Sequence, residues 1–541
     1  MNKCKRCSQE YEVTEKDCEF YEKVSVPEPK LCPECRQQRR FAYRNEWGLH
    51  KAKCSNCSCD MISMFDPALE YNVYCPKCWW ADDFNPLDYG ADFDFERPFF
   101  EQFDELLKRC PLPNLVIGEC ENSDYANFAW KLKNCYLVTA SDYSEDSMYS
   151  AYLIRSKDCL DCTFVNDCEL CYQCLDTKKS YRCTFLQNCQ DCSFCDFCFD
   201  CSGCESCLGC VNLRKKKYCI FNQEYSKEEY EKKRAEFFEG NRDLMKLREQ
   251  FEDFKLKVPH KFASIVGCED CTGDHLVNSK SCHNCFDMVE CEDCNHCSLG
   301  VGAKDCMDCT GVTPCELGYE SCATPENYFM KFCNVIWPKS SYLEYCFLSR
   351  SSNHCFGGVS LRKNEYCILN KQYTKEDYEE LIPRIIEHMK KTGEYGEFYP
   401  IEICPFNYNE GLANDYYPLS REGIEKIGGK YAEQSVSEFK GEKYNGNYED
   451  LDDVSGKVFV CEKSGKPYRI VEGELRFYKK MALPLPKRAP LQRHRDRVEL
   501  RNPRKLWSRE CGKCGVKVES SYNKDRPEKV YCEKCYLEEV Y

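Results

Sequence analysis

The 541-residue chain has no run of 18 apolar residues, which excludes a membrane-spanning helix, and its opening residues Met1, Asn2, Lys3 and Cys4 lack the apolar core of a secretory signal. A cytoplasmic location with no membrane partner is therefore expected. Thiols stay reduced there, so cysteines read as metal ligands or small buried side chains rather than disulfides. Also absent are a Walker loop, a dinucleotide fingerprint, H-E-x-x-H and a nucleophile elbow, so no enzyme is expected. Histidines are few and scattered: His50, His260, His275, His283, His296, His354, His388 and His494. Only His283 and His296, close in sequence to Cys282, Cys285 and Cys297, could enlarge a metal site, and corner positions suit them better.

What the chain has is sulfur and internal repetition. It carries 49 cysteines and a formal charge of −15, yet residues 476–509 contain twelve Lys or Arg against only Asp496 and Glu499. A basic patch is thus attached to an acidic body, and any nucleic-acid contact belongs to the ends. Residues 1–81 reappear as residues 458–538 at a constant offset of 457. Cys54, Cys57, Cys75 and Cys78 recur as Cys511, Cys514, Cys532 and Cys535. Cys4, Cys7, Cys32 and Cys35 instead become Cys461, Ser464, Ala489 and Gln492.

Two C-x2-C turns on neighbouring hairpins can complete a tetrahedron of thiolates with Zn–S near 2.3 Å. Three such sets give about three structural Zn2+ sites: Cys4, Cys7, Cys32, Cys35; Cys54, Cys57, Cys75, Cys78; and Cys511, Cys514, Cys532, Cys535. Each would be closed, with no open position for Lewis-acid chemistry. Iron is the less favoured metal, because nothing marks a flavin or nicotinamide partner, although the spacing suits both. Cys4-x2-Cys7, Tyr11, Glu19-Phe20-Tyr21, Pro27 and Cys32-Pro33-x-Cys35-Arg36 resemble the bacterial "probable zinc-ribbon" domain. The layout further resembles cysteine-rich uncharacterised proteins of candidate phyla radiation bacteria. The resemblance covers residues 1 to about 40, and 458 to about 498 as a copy lacking three of four ligands; it implies zinc and no established activity.

Between the modules, all seventeen cysteines from Cys120 to Cys219 fall on numbers divisible by three. CTFVNDCELCYQC, from Cys162 to Cys174, returns 21 residues later as CTFLQNCQDCSFC, from Cys183 to Cys195. An α-helix would rotate these positions around its axis, so a β-solenoid with coils of about 21 residues is expected. A second copy follows at an offset of 148, where CVNLRKKKYCIFNQEYSKEEY returns as GVSLRKNEYCILNKQYTKEDY. Each copy ends at a helix start, Ser226 with Glu229 and Thr374 with Asp377, expected to close the solenoid. The apolar stripe of residues 97–110 is expected to cap the opposite end. Cys168 and Cys171 correspond to Ser147 and Ser150 one repeat earlier, which suits interior packing and not metal ligation.

Arg36, Arg39, Arg40 and Arg44 share one helix face, and the copy keeps Arg493, Arg497 and Arg501. Two readings compete: Arg36, Arg40, Arg44, Arg493, Arg497 and Arg501 bind RNA or DNA, or they dock the terminal modules onto the acidic solenoids. The aromatic and acidic residues from Trp79 to Phe95 are expected to pack a ribbon against a solenoid.

The expected architecture is mainly β, with two tandem β-solenoids flanked by duplicated zinc-ribbon modules and capping helices. In order these are an N-terminal double ribbon (1–85), linker and capping helix (86–111), first solenoid (112–225), helix (226–257), second solenoid (258–373), helix (374–393), connector (394–457) and C-terminal module (458–541). The expected role is a non-enzymatic zinc-binding scaffold for a macromolecule, nucleic acid at the basic ends or protein on the solenoid faces. The rivals are a thiol-rich metal reservoir or redox sensor, and a protein–protein scaffold with purely structural zinc.

Overall fold

A chain whose inward residues recur at every third position must turn a corner within each triplet. The computed structural model describes residues 1–238, 244–312, 315–324, 326–433, 441, 444, 454 and 456–541. Lys131, Asn134, Leu137, Ala140, Tyr143 and Asp146 all have φ between 49° and 54°, and left-handed corners continue at this spacing to Phe221. Such angles are costly without glycine. Backbone bonds at the corners offset the cost: Asn134 N–H donates to Glu121 C=O at 3.0 Å and Asp146 N–H to Lys133 C=O at 2.9 Å.

Four corners close a coil of twelve residues, as the parallel register shows: Asn127 faces Thr139, Trp130 faces Asp142 and Thr163 faces Leu175. The β-solenoid is as expected, but the coil of about 21 residues is corrected to twelve. Twenty-one is seven triplets, so segments displaced by that length share their inward phase without lying one above the other. The second solenoid repeats the pattern from Ile265 to Leu369, with one step of 11 residues at Ile265–Leu276 and one of 13 at Tyr328–Ser341.

The interior chemistry follows from one backbone group. Inward residues aim their N–H at the side chain one coil earlier: Cys159 N–H donates to Ser147 Oγ (3.1 Å), Cys162 N–H to Ser150 Oγ (2.9 Å) and Ser180 N–H to Cys168 Sγ (3.3 Å). An interior position therefore suits a small side chain that also accepts a hydrogen bond, which Cys, Ser and Thr provide.

Each solenoid ends in a hairpin, Cys219 facing Glu224 and Cys367 facing Gln372. A helix then packs over the last coil. Ser226 and Glu229 form a reciprocal capping box at Lys227–Phe238, followed by a second helix, Leu244–Lys255. Thr374 caps Lys375–Thr392, which ends on Gly393 at φ +79°. The helix Phe99–Arg109 forms with its expected apolar face, but it does not cap the start of the first solenoid. Phe99 packs on Tyr345 and Phe356 of the second. The connector expected over 394–457 is also corrected in part. Tyr395, Phe398, Tyr399, Cys404, Phe406, Tyr408 and Leu412 are buried in the largest hydrophobic core, where their aromatic rings pack among residues of the first module and the second solenoid. Most of 434–455 lies outside the described residues.

The terminal modules cross over. Val73–Tyr74 of the N-terminal ribbon pairs with Leu112–Pro113 at the entry to the first solenoid, and the equivalent Val530–Tyr531 pairs with His260–Lys261 at the entry to the second. Their arginine helices, Pro33–Ala42 and Pro490–Val498, reach the opposite solenoid. No described helix is long and apolar enough to cross a membrane.

Candidate metal centres

Each ribbon begins with a hairpin whose turn holds the first C-x2-C, and the second pair opens a helix. Pro33 and Pro76 stand at the first helical position, which needs no N–H donor. The fold brings Cys4, Cys7, Cys32 and Cys35 within 4.8 Å of one another, and likewise Cys511, Cys514, Cys532 and Cys535. Across the pairs, Cys7 and Cys32 sulfurs are 3.7 Å apart, Cys57 and Cys75 3.8 Å, and Cys514 and Cys532 3.7 Å. A tetrahedral ion with bonds near 2.3 Å requires sulfur–sulfur edges of about 3.8 Å, whereas a disulfide needs about 2.05 Å. The three tetrads can therefore hold a metal ion.

The backbone prepares the first sulfur of each tetrad for negative charge. Burial would push the Cys54 thiol up, but N–H groups of Cys75, Cys57 and Asn56 outweigh it and lower its pKa. In the C-terminal ribbon the same competition, won by N–H groups of Cys514, Cys532 and Lys513, brings Cys511 down to about 6. A thiolate poised in this way binds a cation with less proton release.

The second N-terminal site holds one more thiol than expected. Cys54, Cys57, Cys59 and Cys75 form the compact group, while Cys78 reaches Cys57, Cys75 and Cys54 from the helix Pro76–Trp79. Cys59 stands outside the C-x2-C spacing, and the C-terminal copy has Val516 in its place.

The degenerate ribbon shows what the fold requires without metal. Cys461 is buried, and Ser464 N–H still approaches its sulfur at 3.5 Å. Charges now join the knuckle turn to the helix Pro490–Val498: Arg488 binds Glu462 (2.7 Å) and Asp496 (2.7 Å), Lys463 binds Asp496 (2.9 Å), and Gln492 donates to Asp496 (2.9 Å). An ionic clamp stands where the other copies have a thiol tetrad.

The solenoid thiols behave as packing. Those from Cys189 to Cys210 are 1 % exposed or less, and among the described residues none joins a group of three close ligand atoms. Their sulfurs point at carbonyls, as Cys192 does toward Gln190 (3.3 Å) and Cys201 (3.5 Å).

The arginines expected as nucleic-acid contacts are occupied elsewhere. Arg36, Arg40, Arg44, Arg493, Arg497 and Arg501 have side chains 5 % exposed or less. Arg36 Nε donates to Asp308 at 2.7 Å, and Arg40 bridges Asp308 and Glu320, each at 3.2 Å. Arg493 and Arg497 meet Asp161 in the first solenoid at 2.8 and 3.2 Å. Arg501 spans both solenoids, pairing with Asp176 at 3.0 Å and with Asp287. Arg44 stays local, bound to Glu46. Docking, the competing reading, accounts for these contacts, and no guanidinium of the six is left facing solvent for a phosphate backbone.

His283 and His296 join no metal-competent group among the described residues; His296 is a corner at φ +54°. Two other groups do form, His50 with Asp66 and Glu410, and Asp176 with His275 and Asp287. Asn407 donates to both carboxylates of the first, and Arg501 neutralises both carboxylates of the second. Trp79 packs against Trp337 with Arg362 over its ring, so the aromatic loop joins the first module to the second solenoid. A cavity of about 1170 Å³ lies between the solenoids, lined by Trp130, Phe164, Val277, Val289, Val301 and Trp337 among others. Compared with known proteins, the chain matches no family model and no curated sequence.

Proposed function

We propose that this chain is a non-enzymatic scaffold that uses three zinc ions structurally and presents the cleft between its solenoids to a protein partner. The observation that carries the zinc reading is the sulfur spacing of 3.7–3.8 Å at all three tetrads, which fits four-thiolate coordination and leaves no open ligand position. The choice of partner rests on charge. The conspicuous arginines are neutralised inside the molecule and the body is acidic, so the apolar lining of Val277, Val289 and Val301 together with Trp130 offers a better contact to an extended peptide than to a phosphate chain. Elemental analysis of protein purified anaerobically under reducing conditions tests the first half: three zinc atoms per chain are expected, and ten or more, or iron with sulfide, would overturn it. Tryptophan fluorescence during titration with a peptide library tests the second. A signal lost in Trp130→Ala is expected, and tighter binding to RNA than to any peptide would refute the choice of partner.

A further inference from the structure

Four knuckles in this protein close with one backbone bond. The N–H of the first cysteine donates to the carbonyl five residues on: Cys4 to Gln9 (2.9 Å), Cys54 to Cys59 (2.9 Å), Cys461 to Lys466 (2.9 Å) and Cys511 to Val516 (2.8 Å). The sixth knuckle position thus has the same anchored backbone in every copy, and only at Cys59 does it carry sulfur.

Cys59 lies within 4.8 Å of Cys54, Cys57 and Cys75, and Cys78 reaches the same three sulfurs. Cys59 thus completes the compact tetrad, and Cys78 stands beside it as a fifth thiol. A tetrahedral ion takes four thiolates, so one of Cys59 and Cys78 must stand idle beside it. Cys59 is exposed and Cys78 is buried, so the two candidates for the fourth position lie on the outer and inner sides of the site. At the equivalent position the first N-terminal and the C-terminal knuckles carry Gln9 and Val516, which supply no thiol.

We propose that the second N-terminal ribbon is an exchangeable zinc site, in which Cys59 and Cys78 alternate as the fourth ligand. The step balances without redox chemistry. Zinc–sulfur bonding to Cys59 forms as bonding to Cys78 breaks, Cys59 gives its proton to water, and the departing thiolate of Cys78 takes one up. A ligand held in reserve lets the ion pass through five-coordination, the route by which a thiol-bearing or chelating acceptor could take it. The other two sites, lacking that reserve, hold their ions.

This inference rests on the zinc reading above. The test uses the full chain, reduced and zinc-loaded, with zinc counted by elemental analysis and its release followed with the chromophoric chelator 4-(2-pyridylazo)resorcinol. Cys78→Ser is expected to keep three zinc ions, because Cys59 replaces the lost ligand, whereas the equivalent Cys535→Ser keeps two. The double variant Cys59→Val, Cys78→Ser should also keep two. Cys59→Val alone should keep three and lose the fast phase of release seen in the parent. Wild-type protein with three zinc ions whose Cys78→Ser form holds two, or whose Cys59→Val form releases zinc with the parental fast phase, overturns this inference alone. Wild-type protein that binds no zinc overturns both readings.

Discussion

Replacing Ser147 by alanine isolates the rule that governs the solenoid interior. Ser147 is fully buried, its hydroxyl donates to Glu145 C=O at 2.8 Å, and its oxygen accepts the N–H of Cys159 one coil later at 3.1 Å. Alanine removes that acceptor and leaves an amide facing a dry interior, a loss of about 1–3 kcal/mol. Cysteine should cost much less, because Cys168 performs the same task for Ser180 in a neighbouring coil. The assay is native-state hydrogen exchange read at the Cys159 amide. Local opening should become roughly 5- to 150-fold more frequent in Ser147→Ala, while Ser147→Cys stays within about fivefold of the parent. An unchanged Cys159 amide in the alanine variant would refute the idea that inward side chains complete the backbone bonding. Equal acceleration in both variants would show that only oxygen serves.

Asp308 receives both Arg36 and Arg40, so Asp308→Asn should strand buried positive charge at a cost of about 3–5 kcal/mol and expose the helix Pro33–Ala42 to limited proteolysis. Chelation of metal under reducing conditions should deprotect amides in Glu15–Lys23 and Pro33–Ala42 but spare the degenerate copy, Glu472–Met481 and Pro490–Val498, which Arg488, Lys463 and Asp496 hold without metal; equal deprotection of both would refute the ionic clamp. Burial lowers the pKa of His260 to about 4, with its rings of contact completed by Tyr522 Oη (3.2 Å) and Lys255 C=O (3.1 Å). The unfolded imidazole takes up a proton near 6.5 while the folded one does not, so this contribution is full above pH 6.5 and falls by about 3 kcal/mol as pH drops toward 4. Amide exchange at Val530–Tyr531 should accelerate across that window in the parent and lose this component in His260→Gln.

The triplet spacing was plain in the sequence because inward positions are chemically uniform. The coil length was not, because cysteine recurs at many multiples of three, so identities twelve apart such as Cys183 and Cys195 do not stand out from those three, nine or twenty-one apart, and elsewhere Cys159 follows Ser147. Twelve of the thirteen close-set thiols were legible from C-x2-C spacing; Cys59 looked incidental until the knuckle placed it beside Cys57. The arginine faces were visible too. Their partners were not, since Asp161, Asp308 and Glu320 are single acids among 91, chosen only by the crossing of the modules. The packing of residues 395–412 was hidden for a related reason: a tyrosine-rich, glycine-containing stretch has no periodicity when its burial is set by surfaces far away in sequence.

The crossed arrangement also bears on how the chain is made. Arg36 and its partner Asp308 are 272 residues apart, a stretch that a ribosome adding about 5–20 residues per second needs roughly 14 to 54 seconds to deliver. Throughout that interval the first ribbon can already have captured its ions, yet its guanidinium face has nothing to close against. Those arginines spend their early life exposed and positively charged beside a nascent acidic coil, and the last-made ribbon alone meets a solenoid that is already waiting.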